Sequence, residues 1–281
     1  MNETEFNALI RLLDDDDPEI EAHIQEKLLS LGQEGIPRLE TAWEQSSNEV
    51  ISSRIEDLIH RIQTKDTIND LKRWREHGGG SLFKGWFLIS QFRYPGMDLM
   101  QYKNEINRLV HRIWLETRAG MDLGDKLKVI NRMLFGRESY RGVDQRKIEP
   151  RHYFLNQTID HKKGTPLALG LLYLMLCDEL DLPIEGIILP GYFILTYPDD
   201  QQEFYIDPYN KGNFFLRDDL KRSLKQMNVK EHERFFRPTN REEILYRMIR
   251  RIMKRFEQAK DEEWVQAYFQ LLQSVFPDKI D

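Results

Sequence analysis

Few residues in this chain are of types that do chemistry. There is one cysteine, Cys177, and there are seven histidines. Cys177 lies in the apolar run LALGLLYLMLC at 167–177, where a buried thiol stays protonated and inert. A lone cysteine also excludes a disulfide framework and a cysteine-rich zinc site. The histidines, at 23, 60, 77, 111, 152, 161 and 232, are scattered without HExxH or similar pairing. No metal site and no cofactor are therefore expected. The acidic run at 14–17 lacks the alternating spacing and distal Glu of a calcium loop, and reads as a solvated turn at a helix start. Gly78-Gly79-Gly80 has no following GK[ST] and no preceding apolar strand, and reads as a hinge. The Thr165 hydroxyl would need a base to act as a nucleophile, and Thr165 stands where a helix N-cap belongs. Asp207, just before Pro208, reads first as a turn cap. His152 and His161 precede the helix that Thr165 opens and could approach its start, although His161, in Asp-His-Lys-Lys, suits a solvated turn.

The elements that would position these residues are legible from 152 to 216. Thr165-Pro166 is a helix start, with Thr as N-cap and Pro at the first position. The stretch 167–180 is almost wholly apolar, which predicts a central, buried helix. Asp181-Leu182-Pro183 ends it. Beyond it, 184–189, 192–197, 203–206 and 213–216 are rich in β-branched and aromatic residues and predict short strands. Pro190-Gly191 and Pro198-Asp199-Asp200 are turn signals between them. A buried helix followed by an antiparallel meander is an α+β arrangement. Upstream, helices are predicted at 82–91, 99–114 and 123–135. The stretch 65–80 reads as a linker and 136–150 as a polar loop.

The ends are helical. Phe6, Leu9, Ile10, Leu12 and Leu13 share one helical face, and Ile20, Ile24, Leu28, Leu29 and Leu31 continue it after Asp17-Pro18. Pro37 opens a further helix with Leu39 and Trp43 inward. The pattern returns about 30 residues on, with Leu28-Leu29 matched by Leu58-Ile59. Short helices with an acidic turn, a proline and this period resemble HEAT-type repeats; a plain helical bundle is the alternative. Residues 1–66 hold 16 Asp and Glu against 6 Lys and Arg, so an acidic segment precedes a mildly basic remainder within a chain of net charge −6. Phosphates would be repelled by such a segment, and nucleic acid is not an expected partner. At the other end, Ile244, Leu245, Met248, Ile249, Ile252, Met253 and Phe256 form one face of a helix. Arg247, Arg250, Arg251, Lys254 and Arg255 occupy the other positions. That basic face reads as solvated or as a contact for the acidic N-terminal helices; an anionic ligand is a further alternative. The longest apolar run has 11 residues, too few to span a bilayer. The first residues are acidic where a signal peptide is basic. A soluble, cytoplasmic protein is expected.

The order GTPLALGLLYLMLCDELDLPIEGIILPGYFILTY, then FYIDPYNKG, together with GWFLISQFRYPGMDLMQY and DKLKVINRMLF upstream, resembles the transglutaminase-like domain of the bacterial SirB-type family. The resemblance covers about 67–236, and 244–277 resembles the TPR-like helical extension often found there. It implies a predominantly helical α+β fold with a papain/transglutaminase-like core of buried helix plus antiparallel sheet. The expected domains are a HEAT-like segment at 1–66, the transglutaminase-like domain at 67–236 and a TPR-like hairpin at 237–281. In that fold a Cys at the helix start, a His on the next strand and an Asp on another form a triad. The dipole at a helix N-terminus and a neighbouring His favour the thiolate. The family's positions fall here on Pro166, Tyr192 and Asp207, so only the carboxylate remains. Gly164, Thr165, Gly191, Asn210, His152 and His161 complete a candidate pocket. Tyrosine, with an ordinary pKa near 10, is a poor base at neutral pH. The expectation is a non-catalytic binding or scaffolding module with a protein partner and no membrane contact. The rival is a hydrolase or transamidase-like enzyme rebuilt around Asp207 and Tyr192.

Overall fold

The computed structural model describes residues 1–15, 17–197, 204–226 and 228–280. The predicted turn at 198–200 and the first residue of the strand predicted at 203–206 lie outside them, as does Asp16 of the acidic run. Two compact units are formed, one by residues 1–73 and 91–96, the other by 74–90 and 97–281. The protein is a predominantly helical α+β protein with one small antiparallel sheet.

The first unit contains helices α1 (Glu3–Arg11), α2 (Pro18–Leu29), α3 (Ile36–Gln45) and most of α4 (Glu49–Glu76). Asp17 caps α2 by accepting the Glu19 N–H at 2.9 Å, with Pro18 at the first helical position. Phe6, Leu9, Leu13, Ile24, Leu28, Leu39, Ile55, Leu58 and Ile62 form its core. Leu12, Ile20 and Trp43, expected inward, are instead exposed. Each lies at the margin of its stripe, and the Trp43 indole is held outside by an Nε1–H bond to Glu56 at 2.8 Å. The linker expected at 65–80 is a second correction, because α4 runs unbroken to Glu76. Thr67, Leu71 and Trp74 are buried along it, and this spacing of three and four residues is helical.

The second unit is built around α9 (Pro166–Glu179), in which every residue from Pro166 to Cys177 is buried. Around it stand α5 (Leu82–Gln91), α6 (Leu99–Glu116), α7 (Leu123–Asn131), α8 (Leu155–His161) and a four-stranded sheet. A short parallel pair, β1 (Arg141–Gly142) and β2 (Lys163–Gly164), interrupts the expected loop. The sheet is a meander of β3 (Glu185–Leu189), β4 (Tyr192–Tyr197), β5 (Phe204–Asp207) and β6 (Asn213–Leu216), each antiparallel to the last. One face packs on α9. There the Phe193 ring lies so close to Gly170 that any Cβ at that position would collide with it. The other face, with Ile187, Ile194 and Tyr205, is covered by Leu220 and Leu224 of α10 (Arg217–Gln226) and by Phe235 and Phe236. The C-terminal hairpin of α11 (Arg241–Ala259) and α12 (Glu262–Val275) docks on this unit. Tyr268 stacks on Phe154 and donates to the Ile89 carbonyl at 3.2 Å. No helix among the described residues is long and apolar enough to cross a membrane.

A buried carboxylate ties α6 to the β1–β2 region. Glu138 has 5% of its side chain exposed and meets Arg112, Arg108 at 3.7 Å and Lys162 at 2.7 Å. Burial alone would raise its pKa. The Lys162 hydrogen bond and charge, with the two arginines, outweigh burial and hold it below the ordinary value of 4.5. A depressed carboxylate contributes stability above its unfolded pKa and loses it as the pH falls through the folded one. Glu138→Gln should therefore cost ~1–3 kcal/mol at pH 7. That gap should close as the pH drops below about 4.5. Urea denaturation of both proteins from pH 7 to pH 3.5 measures it, and a gap independent of pH would refute the assignment.

Candidate functional site

The start of α9 is closed by its own local bonding. Thr165 is extended, at φ −71° and ψ 169°, and its hydroxyl accepts the Ala168 N–H at 3.2 Å. Its backbone N–H donates to the His152 carbonyl at 3.3 Å. The residue is 1% exposed. Pro166 follows at the first helical position, and Gly164, Pro166 and Ala168 are all buried with it. A proline has neither a nucleophilic atom nor an N–H for that turn to offer.

Across from it, the sheet brings Tyr192 and Asp207 together. Pro190-Gly191 makes the two-residue link between β3 and β4, with Gly191 exposed at φ +71°, as a type II turn requires. Tyr192 then starts β4. Its hydroxyl lies 3.1 Å from both Asp207 oxygens. Asp207 ends β5 and caps the following turn, accepting the N–H groups of Tyr209 at 3.1 Å and Asn210 at 3.2 Å. The Asn210 amide donates to Asp207 Oδ2 at 2.7 Å and to the Tyr192 hydroxyl at 3.2 Å. The carboxylate is thus surrounded by donors from two side chains and two backbone amides. The turn-cap reading of Asp207 holds, and a phenol partner is added to it.

The electrostatics follow from this geometry. Burial raises the Tyr192 pKa, and the Asp207 charge and hydrogen bond raise it further. The phenol is therefore a donor and not a base at neutral pH. Tyr209, whose ring meets that of Tyr192 edge-on at 5.8 Å, is raised by burial and by the charges of Asp144 and Asp207. Its hydroxyl donates to the Val143 carbonyl. Its ring occupies the space where a Cβ on Gly142 would stand, so β1 can lie over it only with glycine at that position. The Cys177 thiol is fully buried and its pKa is pushed well above the ordinary value by desolvation. It also sits three helical turns beyond Pro166, ~16 Å at 1.5 Å per residue.

The two candidate histidines separate. His152 is half-buried beside the helix start, and its Nδ1 accepts the Glu149 N–H at 3.0 Å. Burial lowers its pKa, as do the neighbouring charges of Arg151 and Lys163. His161 is exposed at the end of α8, and among the described residues it makes no hydrogen bond or ion pair with the Tyr192–Asp207–Asn210 cluster. Thus Gly164, Thr165 and His152 adjoin one another, and Tyr192, Asp207 and Asn210 form the second group.

A family profile described as the transglutaminase-like superfamily matches residues 100–250, more than half of the chain. This protein belongs to the transglutaminase-like superfamily. The matched span contains Pro166, Tyr192 and Asp207. Curated relatives include a UPF0162 protein of Xylella fastidiosa (strain 9a5c), 26% identical over 138 residues, 49% of this chain and 49% of the relative. A UPF0162 protein of Pseudomonas aeruginosa is 27% identical over 143 residues, 49% of this chain and 50% of the relative. F-box only protein 21 of Mus musculus is 25% identical over 115 residues, 38% of this chain and 16% of that protein. The matched stretch thus spans about half the length of the UPF0162 relatives. No solved structure matches.

One residue beside this transglutaminase-like site escapes sequence reasoning. Arg251, assigned to a solvated basic face, reaches inward from α11 and donates to the Leu189 carbonyl at 3.2 Å and the Tyr192 carbonyl at 3.1 Å. It holds both ends of the turn that presents Tyr192. Its signal was positional, since 251 falls three residues after Met248 and seven after Ile244, at the edge of the apolar stripe. Arg250 also turns to a neighbour, donating to the Tyr192-independent hydroxyl of Tyr246 at 3.1 Å.

If the cluster is centred on Asp207, removing its partners should be graded. Tyr192→Phe should cost ~1 kcal/mol and Asp207→Ala ~2 kcal/mol or more, since the latter strips the turn cap as well. Urea unfolding of the two variants orders them, and equal or reversed costs would show that Asp207 is not the hub.

Proposed function

We propose that this protein is a SirB-type member of the transglutaminase-like superfamily whose domain has lost catalysis and serves as a protein-binding or scaffolding module. The observation that carries the reading is at the start of α9. The position where the fold needs a thiolate is a buried proline, and the adjacent Thr165 hydroxyl is engaged as an N-cap. The residue at the base position is a tyrosine bonded to Asp207, with its pKa raised. Nucleophilic acyl chemistry requires an attacking group and a base that accepts its proton. Neither Tyr192 nor Asp207, as bonded here, supplies the second.

Two further facts support a binding module. The stretch shared with F-box only protein 21 is 16% of that protein, so a domain of this kind occurs there as one part of a larger chain. The short helices of the first unit, read as HEAT-like, and the α11–α12 hairpin, read as TPR-like, belong to architectures that present surfaces to proteins. A single free cysteine, buried, suits the cytoplasm. The rival enzyme, rebuilt around Asp207 and Tyr192, would need the carboxylate to release its donors before it could take a proton.

The test is an assay of the full chain for amide hydrolysis and for transamidation between a glutamine peptide and a primary amine. The expected outcome is no turnover above the buffer rate. Turnover that falls at least ~10-fold in Asp207→Ala would establish the rebuilt enzyme and overturn this reading.

A further inference from the structure

The β1–β2 pair places Arg141 directly opposite Lys163. Like charges facing each other across a ladder repel and destabilise it. Both side chains line an open cleft of about 380 Å³, together with Lys147, Arg151, Asp144 and Glu149. The two carboxylates are already engaged. Asp144 accepts the Arg146 N–H at 3.0 Å and pairs with its guanidinium at 3.4 Å, while Glu149 pairs with Arg151 at 2.9 Å. Among the described residues no carboxylate forms an ion pair with Arg141, Lys147 or Lys163. Three exposed cations thus converge on one concavity without an ion pair of their own, in a chain of net charge −6.

His152 lines the same cleft. Its Nδ1 accepts a backbone N–H, so the proton of the neutral ring sits on Nε2 as a further donor. Burial first, and then the charges of Arg151 and Lys163 against that of Glu149, keep the ring on its neutral side. Val143 lines the cleft too, and its carbonyl takes the Tyr209 hydroxyl, so the cleft abuts the Tyr192 cluster.

We propose that this cleft binds a doubly charged oxyanion, the phosphate group of a small ligand, between Arg141, Lys147 and Lys163. A dianion relieves the cross-strand repulsion and gives each cation an acceptor. The concavity favours a compact group over an extended polyanion, for which the acidic chain as a whole is unsuited. The inference stands apart from the question of catalysis, because none of these three side chains belongs to the triad positions.

The experiment is calorimetric titration of the full chain with inorganic phosphate at pH 8, where the dianion dominates, at ionic strength fixed with sodium chloride. A parallel titration uses acetate. The expected result is saturable 1:1 binding of phosphate, a melting temperature that rises with phosphate, and no binding of acetate. Arg141→Ser/Lys163→Ser should weaken phosphate binding at least ~10-fold. Lys147→Ser alone should weaken it less. Because all three side chains are exposed, the double variant should keep the wild-type melting temperature in phosphate-free buffer, or exceed it through lost repulsion. Absence of saturable binding, affinity unchanged in the double variant, or acetate binding as tight as phosphate would each overturn the proposal.

Discussion

The second unit depends on one constraint, a helix with no solvent face. From Pro166 to Cys177, α9 buries every residue, so it is stable only where other elements enclose it completely. That requirement recruits α6 and α8 on one side and the meander on another. It also fixes what can stand at its N-terminus. The first turn of any helix presents unpaired N–H groups, and here water cannot satisfy them. Thr165 answers with its hydroxyl, and Pro166 removes an N–H that would otherwise need a partner. Thr165 and Pro166 together close the helix start.

The sheet side shows the same closure. A carboxylate at the end of β5 could serve a base across the cleft or could cap a turn, and Asp207 is committed to the turn by the backbone N–H groups of Tyr209 and Asn210. Its remaining capacity goes to the Asn210 amide and the Tyr192 phenol. A half-buried carboxylate with four donors around it holds those donors in place. The cluster thereby orders the β4 and β5 ends against the turn that leads to β6. Arg251 adds to this from behind by gripping the carbonyls on both sides of Pro190-Gly191.

How much of this the sequence disclosed depended on the length scale of the signal. The buried helix, its Thr-Pro start and the strands Tyr192–Tyr197 and Asn213–Leu216 were legible with their limits, because composition and turn residues agree over many positions. The two-residue strands β1 and β2 were not, since no period can be seen in two residues. The second half of α4 reads as a linker in sequence because its lysines, arginines and aspartates outweigh the thinner stripe of Thr67, Leu71 and Trp74. Leu12 shares a helical face with Leu9, and Trp43 follows Leu39 by four residues, yet a stripe is wider than the core it faces, and its margins stay in water. Only geometry could tell that Tyr192, Asp207 and Asn210 complete one another.

Charge is where pattern and packing diverge most. The arginines of α11 look alike in sequence, spaced around a helix with an apolar face. In the fold one grips two carbonyls, one meets a tyrosine hydroxyl, and Arg247 pairs with Glu243 at 2.6 Å. Their apparent basic face is largely spent within the unit. The reverse holds at 141–163, where Asp144 and Glu149 stand in sequence among the cations. Because those carboxylates turn to Arg146 and Arg151, the charge that remains free is concentrated on Arg141, Lys147 and Lys163. Net charge along a segment counts residues, whereas the field at a surface counts only those whose partners are elsewhere or absent. By that measure Arg141, Lys147 and Lys163, beside Tyr209, form a basic surface that the arginine-rich α11 does not.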